Sequence, residues 1–91
     1  MKLRYDFELM DMGEEYVAVP VGESAGKFHG MMRMNREAAN MLRLIMAHPA
    51  PEEVLEELLR QNPELEKDDV GWELCNFLNR LIAEGILDPE G

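Results

Sequence analysis

The chain has 91 residues, a mass of 10.5 kDa and a formal net charge of −10. This length suits one small domain over residues 1–91. The acidic excess disfavours binding to nucleic acid or to an anionic membrane, since both need a basic surface. Cys75 is the single cysteine, so the sequence predicts no internal disulfide and a reducing, cytoplasmic location. Charged side chains interrupt the first 20 residues, and we therefore expect neither a signal peptide nor a transmembrane span.

The first third of the chain predicts three β-strands. Apolar and polar residues alternate over 5–12, and Gly13-Glu14 follows as a turn. The β-rich run 16–21 forms the second strand, with Pro20 near its end because proline cannot donate a hydrogen bond to the ladder. Residues 27–34 form the third strand. Its alternation divides the side chains into two faces, Phe28, Gly30, Met32 and Met34 on one and His29, Met31 and Arg33 on the other.

The remainder predicts three helices. Asn35 is suited to cap a helix over 36–47, and Pro51 suits the first turn of the second helix, which ends at Asn62-Pro63. Asp68 or Asp69 caps the third helix, and Gly85 ends it in a left-handed conformation. The core stripe of this helix comprises Val70, Leu74, Phe77, Leu78 and Leu81. Strands followed by helices predict an α+β fold, in which a three-stranded antiparallel sheet packs on three helices.

No motif of catalysis or metal binding is visible. His29, His48 and Cys75 lack the spacing of metal ligands. Nothing near Cys75 in the sequence activates its thiol, and the glycines do not form a phosphate-binding loop. We therefore expect no enzymatic activity of its own, no cofactor and no metal.

A second stripe on the third helix is the more informative pattern. Trp72, Cys75, Asn79 and Ile82 recur at spacings of three, four and three, which places them about 120–150° from the core stripe. Two interpretations stay open. Either Cys75 and Ile82 widen the core, or the stripe lines a groove that receives a partner, where tryptophan is a favoured anchor.

The eight methionines are many for this length. Most are expected to fill the core, as Met34 and Met41 do on their patterns. Met12, Met31 or Met46 could instead form an adaptable binding surface.

Several short motifs, taken in order, resemble those of the pyrroloquinoline quinone biosynthesis protein D (PqqD-like) family. Met34-Asn35 followed by Ala38-Ala39 is similar to the family's "Leu-Asn-x-x-Ala" entry into the first helix. The resemblance covers roughly residues 3–88. It departs from the family at Met34, which replaces the motif leucine, and at His48-Pro49-Ala50, where a Gly-Thr turn is common. The further matching positions are Val19-Pro20-Val21-Gly22, Leu42, Val54-Leu55, Leu58-Leu59, Asp69-Val70, Phe77-Leu78, Leu81, Gly85 and Leu87.

The resemblance implies a peptide chaperone, also called a recognition element of ribosomally made, post-translationally modified peptides. Such a protein binds the leader of a precursor peptide and presents the peptide to a modifying enzyme, commonly a radical S-adenosylmethionine enzyme. The leader adds as a strand to the third strand and lies against the third helix. The implied peptide-binding residues are Lys27, Phe28, His29, Gly30, Met31, Met32, Arg33, Trp72, Cys75, Asn79 and Ile82. Both faces of the third strand stay candidates for the wall of the groove.

A nucleic-acid-binding or transcription-related domain is the alternative, because three helices and a hairpin give a winged-helix-like order of elements. Charge disfavours it, since residues 68–84 contain one base, Arg80, against four acids. An exposed sheet edge also permits strand pairing between two copies, so a homodimer is a further possible assembly.

Overall fold

A computed structural model describes residues 1–26, 30–48 and 50–90. The chain divides into two compact units. One, the sheet unit, is Tyr5–Arg43; the other, the helical unit, combines Met1–Arg4 with Leu44–Gly91. The prediction of one domain over 1–91 stays a prediction. In chain order the described elements are β1 (Lys2–Leu3), β2 (Phe7–Asp11), β3 (Tyr16–Pro20), a 3-10 helix (Gly22–Gly26), β4 (Met32–Met34), α1 (Arg36–Ala47), α2 (Pro51–Gln61), α3 (Lys67–Ala83) and β5 (Leu87–Asp88).

The sheet unit contains the predicted three-stranded antiparallel sheet, in the order β2-β3-β4. Phe7 lies opposite Pro20, and Ala18 lies between Leu9 on one side and Met32 on the other. Opposite residues of neighbouring strands share a face, so these residues and Met34 form one face. Apart from the half-buried Leu9, all of them are buried. The predicted order of strands and helices, and hence the α+β class, is confirmed.

Pro20 ends β3, as predicted, and the pairing explains why a central strand tolerates it. Within the β2–β3 ladder, the Val21 N–H donates to the Asp6 carbonyl at 3.0 Å. Pro20, which precedes Val21, therefore directs its main-chain groups away from β2. Pro20 lacks an N–H, but no donor is needed from it on the β2 side.

The first two helices have the predicted limits and terminal residues. The Asn35 side-chain oxygen accepts a hydrogen bond from the Ala38 N–H at 2.8 Å, as an N-cap does. Helix α2 begins at Pro51 and is followed by Asn62. No helix in the described ranges is long and apolar enough to cross a bilayer.

The predicted cap of the third helix is wrong. Helix α3 begins at Lys67 with Glu66 as its N-cap, and no side chain caps it. Asp68 and Asp69 lie in the first turn instead. There the carboxylates face the positive end of the helix dipole, so both arrangements suit an acidic residue. The C-terminal prediction is confirmed, because Gly85 has φ = +75°.

The core of the helical unit includes the predicted stripe of α3. Val70, Leu74, Phe77 and Leu81 are buried, whereas Leu78 is half-buried. Burial of four apolar side chains on one face of the helix confirms its predicted phase.

The extended tail after Gly85 forms a strand, β5, that pairs antiparallel with β1. Lys2 lies opposite Asp88 and Leu3 opposite Leu87. The Arg4 N–H extends this ladder by donating to the Ile86 carbonyl at 2.8 Å. The strand at residues 2–3 was not predicted from the sequence.

Candidate functional site

The edge of β4 is the first candidate surface. The direction in which the main-chain groups of β4 point follows from two hydrogen bonds of the β2–β3 hairpin. The Val21 N–H donates to the Asp6 carbonyl at 3.0 Å, and the Met12 N–H donates to the Glu15 carbonyl at 2.9 Å. Main-chain groups of successive residues alternate in direction along an antiparallel strand. The odd-numbered residues of β3 therefore bond to β2, whereas Tyr16 and Ala18 bond to β4.

This alternation fixes which residue of β4 presents its main chain at the edge. Tyr16 lies opposite Met34 and Ala18 opposite Met32, so these two pairs exchange the hydrogen bonds of the ladder. Arg33, between them, directs its N–H and C=O away from the sheet. Within the described residues, no hydrogen bond from outside the sheet is found for these groups. Arg33 thus leaves one donor and one acceptor for an added strand.

The side chains of β4 separate by face. Met32 and Met34 are buried, whereas the Arg33 side chain is 71% exposed and lies 3.7 Å from a Glu15 carboxylate oxygen. Met31, just before the strand, is also exposed. Within this unit, then, Met32 and Met34 contribute to the core, and Arg33 remains accessible beside the edge.

The predicted third strand is longer than the observed one. Lys27, Phe28 and His29 lie outside the described residues, and Gly30 and Met31 precede β4 without belonging to it. Gly30 has φ = +119°, which is not a strand conformation. Continuing the register of β4 would place Gly30 opposite Pro20, which has no N–H to donate. The ladder therefore stops at Met32.

The exposed stripe of α3 (Trp72, Cys75, Asn79 and Ile82) is the second candidate surface, and it lies in the helical unit. Trp72 is 69% exposed, Ile82 is 37% exposed, and the two residues between them are exposed as well. The interpretation that Cys75 and Ile82 widen the core is therefore wrong. A tryptophan so accessible leaves most of its apolar area in contact with water, which burial by a partner would remove.

The charges of α3 lie mostly on the other side of the helix. At about 100° per residue, Gly71 and Leu78 lie between the buried stripe and the exposed stripe, and both are half-buried. Glu73 and Arg80 lie on the opposite flank, where Arg80 Nε is 3.5 Å from a Glu84 carboxylate oxygen. Beyond the first turn, the exposed stripe and its Leu78 border carry no charge. This surface can accept apolar side chains, with the Asn79 amide available for a hydrogen bond.

Each surface contains a residue that the sequence did not predict. Glu15 reaches Arg33 because the hairpin and the β3–β4 register bring them together, and the two lie 18 positions apart in the chain. Leu78 was expected in the core, but its half-burial makes it the border of the exposed stripe. The groove that the resemblance implies stays a prediction.

The described residues do not form a metal centre. Among residues 1–26, 30–48 and 50–90, no group of three or more His, Cys, Asp or Glu side chains is arranged to hold a metal ion. Cys75 is a free, exposed thiol, and His48 Nδ1 lies 3.3 Å from a Glu53 carboxylate oxygen. His29 lies outside the described residues.

Comparison of the chain with protein-family models, with curated proteins and with solved structures finds no match in any of the three. The resemblance to the PqqD-like family therefore depends on the motifs quoted above and stays a prediction.

Proposed function

We propose that this protein is a non-catalytic peptide chaperone that binds the leader of a ribosomal precursor peptide and presents it to a peptide-modifying enzyme, either of the radical S-adenosylmethionine class, which the resemblance implies, or of another class. The leader adds as a strand to the edge of β4. The exposed stripe of α3 offers a second surface, on which peptide side chains bury apolar area. The protein contributes binding and orientation, and the chemistry belongs to the enzyme.

The observation that carries this proposal is the direction of the Arg33 main chain. An edge residue with an outward N–H and C=O is what strand addition requires, because the affinity of this binding mode comes from main-chain hydrogen bonds. Long exposed edges promote aggregation. With only three residues, β4 is a short edge that favours a specific guest over uncontrolled sheet growth.

The exposed stripe of α3 supports the proposal through its composition. Strand addition alone distinguishes peptides poorly, since every peptide has the same main chain. Specificity needs side-chain contacts, and Trp72 and Ile82 are accessible apolar residues on one side of one helix. Burying them against a leader supplies that selectivity.

The nucleic-acid alternative has less support. Helix α3 would be the reading helix, and its two bases, Lys67 and Arg80, stand against three acids. Arg80 already lies beside Glu84. A helix that enters a groove of DNA needs an excess of positive charge over the phosphates.

The test is calorimetric titration with synthetic peptides that correspond to short reading frames next to the gene. Three proteins are compared: the natural chain, Arg33→Ala and Arg33→Pro. Alanine removes the side chain but keeps the N–H, whereas proline removes the N–H as well. We expect Arg33→Ala to bind within a few-fold of the natural chain, and Arg33→Pro to bind about tenfold more weakly or not at all.

Melting temperatures of the two variants provide the folding control, and they are expected to agree closely because neither change removes a bond of the internal ladder. If Arg33→Pro bound peptide as well as Arg33→Ala does, the edge of β4 would not be the docking strand. The role in presentation is tested separately. A peptide-modifying enzyme encoded next to the gene is expected to process the peptide faster when this protein is added, and the absence of any such gene would count against the proposal.

A further inference from the structure

Arg33 also determines which side chain an added strand can place beside it. In parallel and antiparallel pairing alike, the guest residue directly opposite Arg33 has its side chain on the same face of the sheet. Opposite side chains of neighbouring strands lie about 4.5–5.5 Å apart at their Cβ atoms. An added peptide therefore brings one side chain next to the Arg33 guanidinium, whichever direction it runs.

The surroundings leave the charge of Arg33 available. Its side chain is 71% exposed, and Glu15, the described carboxylate beside it, is 3.7 Å away. That separation is too long for a hydrogen bond. The residue of β3 directly opposite Arg33 is Val17, which is apolar and buried. A carboxylate on the guest strand can approach the guanidinium more closely than Glu15, the acid nearest to it among the described residues, does.

The neighbouring guest positions meet a different environment. Met32 and Met34 flank Arg33 and share the opposite, buried face of the sheet. Guest residues on either side of the one opposite Arg33 point to that face. Apolar side chains suit these two positions, because they extend a row of buried methionines.

We infer that the edge of β4 selects an extended peptide segment in which an aspartate or glutamate, flanked by two apolar residues, lies opposite Arg33. This inference rests on the proposed function and names the class of segment that the same edge takes. The net charge of −10 repels strongly acidic peptides at long range. The preferred segment therefore carries a single acid at this position.

The test is selection of a displayed library of random 12-residue peptides on three immobilised proteins: the natural chain, Arg33→Glu and Arg36→Glu. Arg36 is the matched control, because it is an exposed arginine at the start of α1 and its replacement changes the net charge equally. We expect the natural chain and Arg36→Glu to enrich an acid between two apolar residues. We expect Arg33→Glu to enrich lysine or arginine at the same place.

Binding affinities of this protein for one selected peptide make the test quantitative. Changing its acid to the matching amide is expected to weaken binding between about 1.5-fold and fivefold, the range of an exposed cross-strand charge pair. Glu15→Gln is expected to strengthen the binding of the acidic peptide, because it removes a competing carboxylate.

The outcomes separate the two proposals. If all three proteins enriched peptides with the same charge pattern, Arg33 would not select the guest, while peptide binding itself would stand. If none of them enriched any peptide over the unselected library, the inference and the proposed function would fail together.

Discussion

The edge of β4 and the exposed stripe of α3 offer two different kinds of contact. The edge offers main-chain groups of Arg33, which pair with almost any extended chain. The stripe offers side chains, led by Trp72, which suit only some partners. In the proposed complex, main-chain pairing at the edge does not depend on the peptide sequence, whereas contacts with the side chains of Arg33 and of the exposed stripe do. Replacements can therefore change one while leaving the other intact.

The largest loss of stability is expected at Met32, a residue of β4 whose main chain bonds to β3 instead of pointing to the open edge. Met32→Pro removes the hydrogen bond that the Met32 N–H donates to Ala18 and replaces a buried side chain. We expect it to lower the free energy of unfolding by about 3 kcal/mol or more, as measured by urea denaturation. Arg33→Pro, one residue along, is expected to unfold near the natural midpoint. Equal midpoints for the two variants would show that the alternation assigned to β4 is wrong.

The next effect compares the buried and bordering positions of α3. Phe77 is 7% exposed, so Phe77→Ala is expected to cost about 3–5 kcal/mol of stability through lost burial and a residual cavity. Leu78 is half-buried, and Leu78→Ala is expected to cost less, about 1–2 kcal/mol. Denaturant midpoints measure both values. A larger loss for Leu78→Ala would place the border of the exposed stripe inside the core.

A smaller effect, confined to binding, is expected on the exposed stripe. Trp72→Ala should weaken peptide affinity by about 1–3 kcal/mol while the melting temperature changes little, because the indole is 69% exposed. Leu65→Ala is the control, since Leu65 is also an exposed apolar residue but precedes α3. Calorimetry and thermal melts of both variants decide the matter. A loss of melting temperature without a loss of affinity would make Trp72 structural.

No effect is expected with nucleic acid. The net charge of −10 and the scarcity of bases on α3 predict no binding to a DNA duplex at physiological salt. Fluorescence anisotropy with a labelled duplex tests this at two salt concentrations. A micromolar affinity that falls as salt rises would favour the nucleic-acid alternative over the peptide.

Local signals in the sequence were sufficient for the first two helices. Asn35 and Pro51 each affect the helix turn next to them in the sequence. The limits of α1 and the start of α2 are therefore as predicted. The start of α3 was predicted wrongly because several acidic residues in a row are acceptable both as caps and in a first turn. The sequence alone does not rank them.

Features that depend on distant partners were not predictable in this way. The third strand was predicted too long because alternation continues past Gly30, while the ladder stops where its register would meet Pro20 in another strand. Strand β1 has two residues and shows no periodicity, and its pairing with β5 spans nearly the whole chain. The second candidate surface, the stripe of α3, was predictable because its spacing is a property of one helix. The Arg33–Glu15 contact was not predictable from the sequence, because the pairing of the strands brings the two residues together.

The pairing of β1 with β5 has a consequence for circular permutation of the chain. Because Lys2 and Asp88 lie directly opposite each other, segments attached at the two ends leave the helical unit at neighbouring positions. A linker of a few glycine and serine residues is long enough to join them. The chain could then be opened at the exposed Gly13-Glu14 turn. Such a circular permutant is expected to keep every strand pair, and it exchanges the order in which the two units are completed during synthesis, because the sheet unit then ends last.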